Sequence, residues 1–376
     1  METSFESPIL EQLSLKTAEP QTAHFMDEKS PELMSIPDYK KILMGSLPKE
    51  IFQRNPWRLF WIPCNIFIYS FTVFLIINFD LPIIFKFGLS LLLGTLTTNF
   101  AFLAHEASHG SIIKSKNLQD LIVFFGLGPY LTTPTYWRYN HNKLHHGHTQ
   151  LVYKDPDAFP TKMIWKKSKF MKAIFPWTPG SGHKRSFFYF FFWFPFQAIT
   201  NQLFFCFQNK YYDSMNKPRM LTEFTLQLAM LSTYIYFVGS QDWIFLVLIP
   251  FAVQNSIPMS YISTNHNLCP YTKTNDPLVN TVSVTNHPIL EVLHLNFGYH
   301  AVHHLFPALP MNNAKIVDKK LRELFPEKYM IMPKWKAVKM LYQTPRIYKN
   351  ADTLVNPKCG TEKKTISCVA EMKQYL

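Results

Sequence analysis

The sequence predicts an all-α integral membrane protein, with four transmembrane helices in two hairpins, interfacial helices and a histidine-rich cytosolic cap. Three observations predict it. Apolar residues make up 47% of the 376 residues, and they are gathered into blocks near the roughly 20 residues that cross a bilayer. The net charge of +13 is segregated. Between Glu106 and Arg185 there are 12 Lys or Arg against four acids, and from Ser263 onward 15 more basic residues. The short loops within the hairpins carry only Lys86 as a basic residue, which is the positive-inside pattern. Most of the 14 histidines fall in three clusters, all on one predicted side. Basic surfaces that bind nucleic acid need no such Phe, Leu and Ile runs, so no nucleic-acid partner is expected.

Residues 1–50 are polar, lack a basic-then-apolar leader and are expected to be largely disordered, with a helical turn or two between Pro37 and Lys49. Residues 51–345 form the membrane domain. Its first block runs from Leu59 to Asn78 and its second from Leu81 to Ala104. Asp80 and Pro82 mark the turn, so Arg58 and His105 share a side. The piece Leu121–Leu131 holds Gly126, Gly128 and Pro129 and is too short to span, so it reads as interfacial or re-entrant. A loop follows with Pro156, Pro160, Pro176 and Pro179.

The block Phe187–Phe207 is aromatic and broken by Pro195. If the histidines at both ends of the chain meet on one membrane face, an even number of spans separates them. Phe224–Val238 and Trp243–Tyr261, joined by Gly239 to Asp242, form the second hairpin, which places Phe187–Phe207 in the interface. Residues from Ser263 return to the histidine side, and 346–376 are expected to be a weakly ordered tail. Both termini then lie in the cytosol. Cys64, Cys206, Cys269, Cys359 and Cys368 show no paired spacing and read as free thiols in a reducing compartment.

The first cluster is His105-Glu106-Ala107-Ser108-His109, at the end of the second span. Residues four apart share a helix face, so both imidazoles reach a common metal or two adjacent ones. In the second cluster, His141-Asn142-Lys143-Leu144-His145-His146, an α-helix puts His141 and His145 on one face and His146 about 100° away. In the third, His300-Ala301-Val302-His303-His304, His300 shares a face with both partners. Eight imidazoles exceed the four ligands of a zinc site, so two ions are implied. Nitrogen ligation suits iron, zinc, copper or nickel and does not choose among them. His24, His148, His183 and His287 fit no such spacing and read as surface histidines.

The order of these clusters resembles the membrane fatty acid desaturase and hydroxylase superfamily, whose three histidine boxes hold a di-iron centre. The flanking residues are similar too: HEASHG at His105–Gly110, HNKLHHGHT at His141–Thr149 and HAVHHLFPALP at His300–Pro310. The similarity covers roughly Asn55–Pro345 and is closest to acyl-lipid desaturases. It implies His105, His109, His141, His145, His146, His300, His303 and His304 as iron ligands. It also implies a ninth ligand just after the last span, at His266 with His294 as runner-up. Asp157, Asn265 and His294 are candidates to orient the ligands from outside.

The three-residue spacing in the first box favours a lipid-bound or other non-CoA acyl substrate. The implied reaction uses dioxygen and two electrons to place a cis double bond in an acyl chain, which threads an apolar tunnel near Phe102, Trp137 and Phe297. The chain holds no iron–sulfur cysteine run and no dinucleotide fingerprint. A separate acidic donor, a ferredoxin or a b-type cytochrome, is therefore expected.

Three other readings remain open at this stage. A lipid, carotenoid or alkane hydroxylase or ketolase of the same superfamily would use the same centre. A membrane zinc metalloprotease would use His105, Glu106 and His109 as its HExxH motif, leaving two clusters unexplained. A non-catalytic scaffold or transporter would explain none of them.

Overall fold

The computed structural model describes residues 32–375. The disorder expected for residues 1–31, and the surface position expected for His24, lie outside the described residues. The rest is mostly helical. Three helices are long and apolar enough to cross a membrane: Pro56–Asn78, Ile83–Ser108 and Ile244–His266.

The fourth expected span, Phe224–Val238, lies within a 21-residue helix, Lys217–Phe237, which is outside that set. Lys217, Arg219, Glu223 and Gln227 lower its apolarity, and the last two hold neighbouring chain. Glu223 accepts from the backbone N–H of Thr135 at 2.9 Å. The Gln227 amide donates to the carbonyls of Phe124 and Thr132 at 3.0 and 3.1 Å. This helix thus ties down the chain that leads into the second histidine cluster.

Ile83–Ser108 is the central helix, and small residues set its distances. A Cβ on Gly94 would stand 2.6 Å from Val253 Cβ, and one on Gly126 would stand 2.6 Å from Ala104 Cβ. Glycine at these positions lets Ile249–His266 and Lys116–Gly126 close onto it. The expected re-entrant piece is this last helix followed by a 3₁₀ turn, Gly128–Tyr130. The aromatic block becomes Tyr189–Thr200, continuous through Pro195, with a π-turn at Asn201–Phe205. It packs on Ile249–His266, while Phe187, Phe188, Phe204 and Phe207 stay exposed.

Several expectations are corrected. The fold is not purely α. Ser283–Thr285 pairs in parallel with Ile331–Pro333, and Ile347–Tyr348, Thr353–Val355 and Glu362–Lys364 form an antiparallel sheet. The segment 32–50, expected to be mostly disordered with a helical turn or two between Pro37 and Lys49, holds the helix Ile36–Met44, capped by Ser35. Tyr39 and Leu43 on this helix, and Leu47 and Ile51 beyond it, recur every four residues and bury in one cluster with Leu278, Val302 and Leu305.

The tail from 346, expected to be weakly ordered, is also packed. Arg346 is fully buried and donates to Thr344 and to the Asn267 carbonyl. Tyr348 Oη donates to the Cys269 carbonyl at 2.7 Å, and Ile366 N–H to Leu268 O at 2.9 Å. Its strands are too short to show a period, and they are held by partners about 80 residues away in sequence.

Candidate metal centre

Four segments bring nine histidines to one place. The last turn of Ile83–Ser108 carries His105, and His109 is its C-cap. The second cluster lies on a π-helical turn, Arg138–His145. Its i→i+5 bonding changes the grouping that an α-helix predicts. His146 donates its backbone N–H to the His141 carbonyl, so these two side chains come onto one face with Nε2 atoms 3.2 Å apart. His145 stacks on His141 at 5.3 Å between ring centres. His300–Leu305 is a helix of six residues carrying the third cluster, and His266 ends the last apolar helix.

The nine imidazoles divide into two sets. In the first, ligand atoms of His105, His109, His141, His146 and His303 all lie within 4.8 Å of one another. In the second, those of His145, His266 and His304 do so. His300 joins this second set, its Nε2 2.8 Å from His266 Nε2 and 3.2 Å from His304 Nε2. His145 joins the second set and also adjoins the first, since ligand atoms of His141, His145 and Asp157 lie within 4.8 Å of one another. Each of the two boxes that end in adjacent histidines divides its members between the sets. All eight box histidines and His266 therefore come together. His294, the runner-up, does not; its Nδ1 meets Tyr261 Oη at 2.8 Å.

The outer partners fix tautomers. His145 Nδ1–H donates to Asp155 at 2.9 Å, with Asp157 at 3.6 Å. His266 Nδ1–H donates to the Asn280 carbonyl at 3.2 Å. Thr149 Oγ1 donates to the His145 carbonyl at 2.8 Å, so it accepts from His304 Nδ1–H at 3.2 Å. In each case Nε2 is left unprotonated and turned inward. His266 and His304 both face His300 Nε2, and one hydrogen on that atom serves only one of them. His109 Nε2 is buried without a hydrogen-bond partner among the described residues. Inward lone pairs in this number fit cations, and two sets fit two.

Sequence reasoning chose Asp157 as the orienting carboxylate and missed Asp155, which makes the shorter contact. Only the backbone reveals it: Gln150, with φ of 55°, turns the chain so that its own N–H reaches Asp155 at 2.8 Å. Asp157 instead accepts from Gln197 at 3.2 Å and Asn140 at 3.4 Å. Burial, stronger than the opposing pull of His145 and aided by the Asp155 charge, pushes the Asp157 carboxyl up to about 6. Burial also acts on Asp155, but its contact with His145 holds it below the usual carboxylate range. Burial lowers His145 too, yet Asp155 and Asp157 carry it above the usual value. Asn265 is buried and its side-chain amide has no hydrogen-bond partner among the described residues.

The metalloprotease reading needs Glu106 to reach a metal-bound water. Both its oxygens are engaged elsewhere, one by Arg58 and one by the Met311 N–H at 3.0 Å. That reading is overturned.

A small cavity of about 60 Å³ touches His105, His141, His145, His266 and His300, with Trp137 and Phe297 in its wall. Phe102, also expected there, stands behind Phe297 and stacks on it at 4.2 Å. Asp157, Gln197, Met259 and Ile262 line both this cavity and a neighbouring cleft of about 260 Å³. The cleft is largely apolar, walled by Phe159, Phe170, Trp193 and Phe196.

The family described as fatty acid desaturase matches residues 82–335 of this chain. Among characterised relatives, the chain is 24% identical over 307 residues to the chloroplastic omega-6 fatty acid desaturase of Glycine max, covering 75% of this chain and 67% of that one. The same enzyme of Arabidopsis thaliana is 21% identical over 353 residues, 87% of this chain and 72% of its own. That of Brassica napus is 21% identical over 342 residues, covering 84% and 71%.

Proposed function

This chain belongs to the fatty acid desaturase family, and from that premise we propose that it introduces a cis double bond into the acyl chain of a membrane lipid, at a di-iron centre held by nine histidines. The observation that carries this reading is the division of the nine into two inward-facing sets beside a cavity that adjoins an apolar cleft. Two iron ions bound there would supply the dioxygen-dependent oxidation that takes two hydrogens from neighbouring methylenes, chemistry outside the reach of any side chain.

The chain's own residues do the rest. His105, His109, His141, His146 and His303 hold one ion, and His145, His266, His300 and His304 the other. Asp155, Thr149 and the Asn280 carbonyl hold three of these imidazoles in the right tautomer. Met259 and Ile262 guide the acyl chain from cleft to cavity. Trp137, which stacks on His141 at 4.2 Å, and Phe297 exclude water from the reacting carbons.

Four spans in two hairpins fit the contacts. Lys86, at the first hairpin's turn, pairs with Asp242, at the second's, at 2.9 Å, so both turns lie together at the end away from the histidines. The histidine end carries the basic loops, which supports a cytosolic orientation and docking of an acidic ferredoxin or b-type cytochrome as a separate electron donor. The curated relatives' names place them in the chloroplast and make them omega-6 desaturases; an insertion counted from the methyl end of the chain follows that pattern.

Expression in a lipid-producing host without such an activity, beside a His303→Ala control, tests the reading. A new double bond, seen by mass-detected gas chromatography and absent in the control, is expected. A product heavier by one oxygen would refute desaturation and make the enzyme a hydroxylase.

A further inference from the structure

Between Ala158 and Tyr212 the chain carries eight Lys or Arg and no Asp or Glu. Five of the eight lie on two short helices, Lys162–Lys167 and Lys169–Ile174. Lys166, Lys167, Lys169 and Lys172 are exposed, and none forms an ion pair among the described residues. Some exposed cations elsewhere pair, as Arg219 does with Asp120 and Glu223 and Lys349 with Glu362, while others such as Lys41, Lys114 and Lys315 do not; what sets these lysines apart is their density and their place.

The unpaired charge sits at the mouth of the acyl cleft. Lys167 lines the cleft itself, together with Ile164, Phe170, Met171 and Ile174 from the same helix pair. The helices are apolar toward the cleft and cationic outward, as lysines that bury their stems and keep their heads in water arrange themselves. Exposed Phe187 and Phe188 precede the helix that forms the opposite wall. A lipid whose chain enters this cleft brings its headgroup against these lysines.

We propose that this helix pair recognises the headgroup, and that the substrate is an acyl chain esterified to an anionic glycerophospholipid whose phosphate lies against Lys166, Lys167 and Lys169. The proposal rests on reading the cleft as the acyl site. The surroundings disfavour a choline headgroup. The lysine-bearing stretch offers a quaternary ammonium no carboxylate; Asp155 and Asp157, which also line the cleft, are engaged by His145, Gln197 and Asn140. Trp165 and Trp177 are covered by Lys172 and Arg185, at 5.7 and 5.5 Å from the ring centres, so neither ring is open to it.

The test is quenching of tryptophan fluorescence in the purified full chain, in neutral detergent, by phosphatidylglycerol and by phosphatidylcholine, each with brominated acyl chains. The wild type should be half-quenched at about tenfold less of the anionic lipid, as expected of a few lysines meeting an anionic headgroup. The preference should vanish in the triple variant Lys166→Gln, Lys167→Gln, Lys169→Gln, and persist when the same three become Arg. Equal quenching in the wild type, or a preference that survives in the Gln variant, overturns the proposal. Displacement by free glycerol 3-phosphate at the lipid's own concentration would assign the lysines to a soluble phosphate and overturn it too. So would a Gln variant that keeps its lipid preference but raises KM for a reduced ferredoxin, which makes the patch a donor's dock. No quenching by either lipid refutes the acyl cleft itself, a failure distinct from a lost preference.

Discussion

Glu106 stands between the two histidines of the first cluster, yet its carboxylate belongs to Arg58: Oε2 accepts from Nη2 at 2.5 Å and from Nε at 2.9 Å, with both side chains buried. The other oxygen accepts the Met311 N–H. One residue of the helix end thus joins the start of the first span to the loop after the third cluster. Its task is to hold two histidine-bearing segments in register, which a motif reading of HExxH does not suggest.

Glu106→Ala should therefore destabilise the fold. Removing one partner of a buried ion pair costs about 3–5 kcal/mol because the other charge is left uncompensated. Thermal unfolding in detergent should show a clear drop in midpoint, while the fraction that folds keeps its metal. Loss of metal at unchanged stability would contradict this role.

Asp155→Asn removes the carboxylate from His145 Nδ1, and comparable changes lower metal affinity about 10–100-fold. Asp157→Asn should cost less, since its contact is the longer one. Chelator competition on the two purified variants measures the order, and equal losses would show that the pair acts as one unit.

His266→Ala and His294→Ala should part company. The first removes an imidazole whose Nε2 faces His300 at 2.8 Å. The second removes one hydrogen-bonded to Tyr261. Metal analysis should find about one ion fewer per chain in the first variant and full occupancy in the second; the reverse would make His294 the ninth ligand.

Acid should weaken the fold of the metal-free protein. Burial, with the charges of neighbouring histidines, holds His109, His141, His146, His300, His303 and His304 well below the usual 6.5. The unfolded chain then binds protons that the folded chain refuses. Stability is complete above about pH 6.5 and is lost as pH falls from there toward the depressed values, by up to about 1.4 kcal/mol per histidine per pH unit. His145, whose value is raised, and Asp157, raised to about 6, oppose this trend. Unfolding midpoints from pH 8 to 5.5 should fall; a flat profile would mean that the imidazoles are not buried.

Ile262→Trp should narrow the passage between cavity and cleft. Metal content should stay near the wild-type level while turnover on long acyl chains falls by about tenfold or more, as a misplacement near 1 Å costs. Unchanged turnover would route the acyl chain elsewhere.

The apolar blocks, their turns at Asp80–Pro82 and Gly239–Asp242, and the three histidine clusters were legible in the chain, because length, hydropathy and i,i+4 spacing are local properties. His266 came from the family resemblance, which implies a histidine just after the last span, and it lies beside His300. The partition of the histidines was not legible. An α-helix pairs His141 with His145, and the π-turn also brings His146 to His141; that turn is held by neighbours such as Asp120, Ser108 and Tyr212. Asp155 over Asp157 depended on a left-handed residue at Gln150, whose amide is gripped by Tyr348 nearly 200 residues on. The packing of the tail was likewise decided by distant partners, whereas helical turns in the N-terminal segment were expected from the chain itself. Sequence by itself marked which histidines are candidate ligands and on which side of the membrane they are expected. Tertiary structure alone decided which imidazoles lie together and which carboxylate reaches one of them, because those outcomes turn on contacts between segments that no local period records.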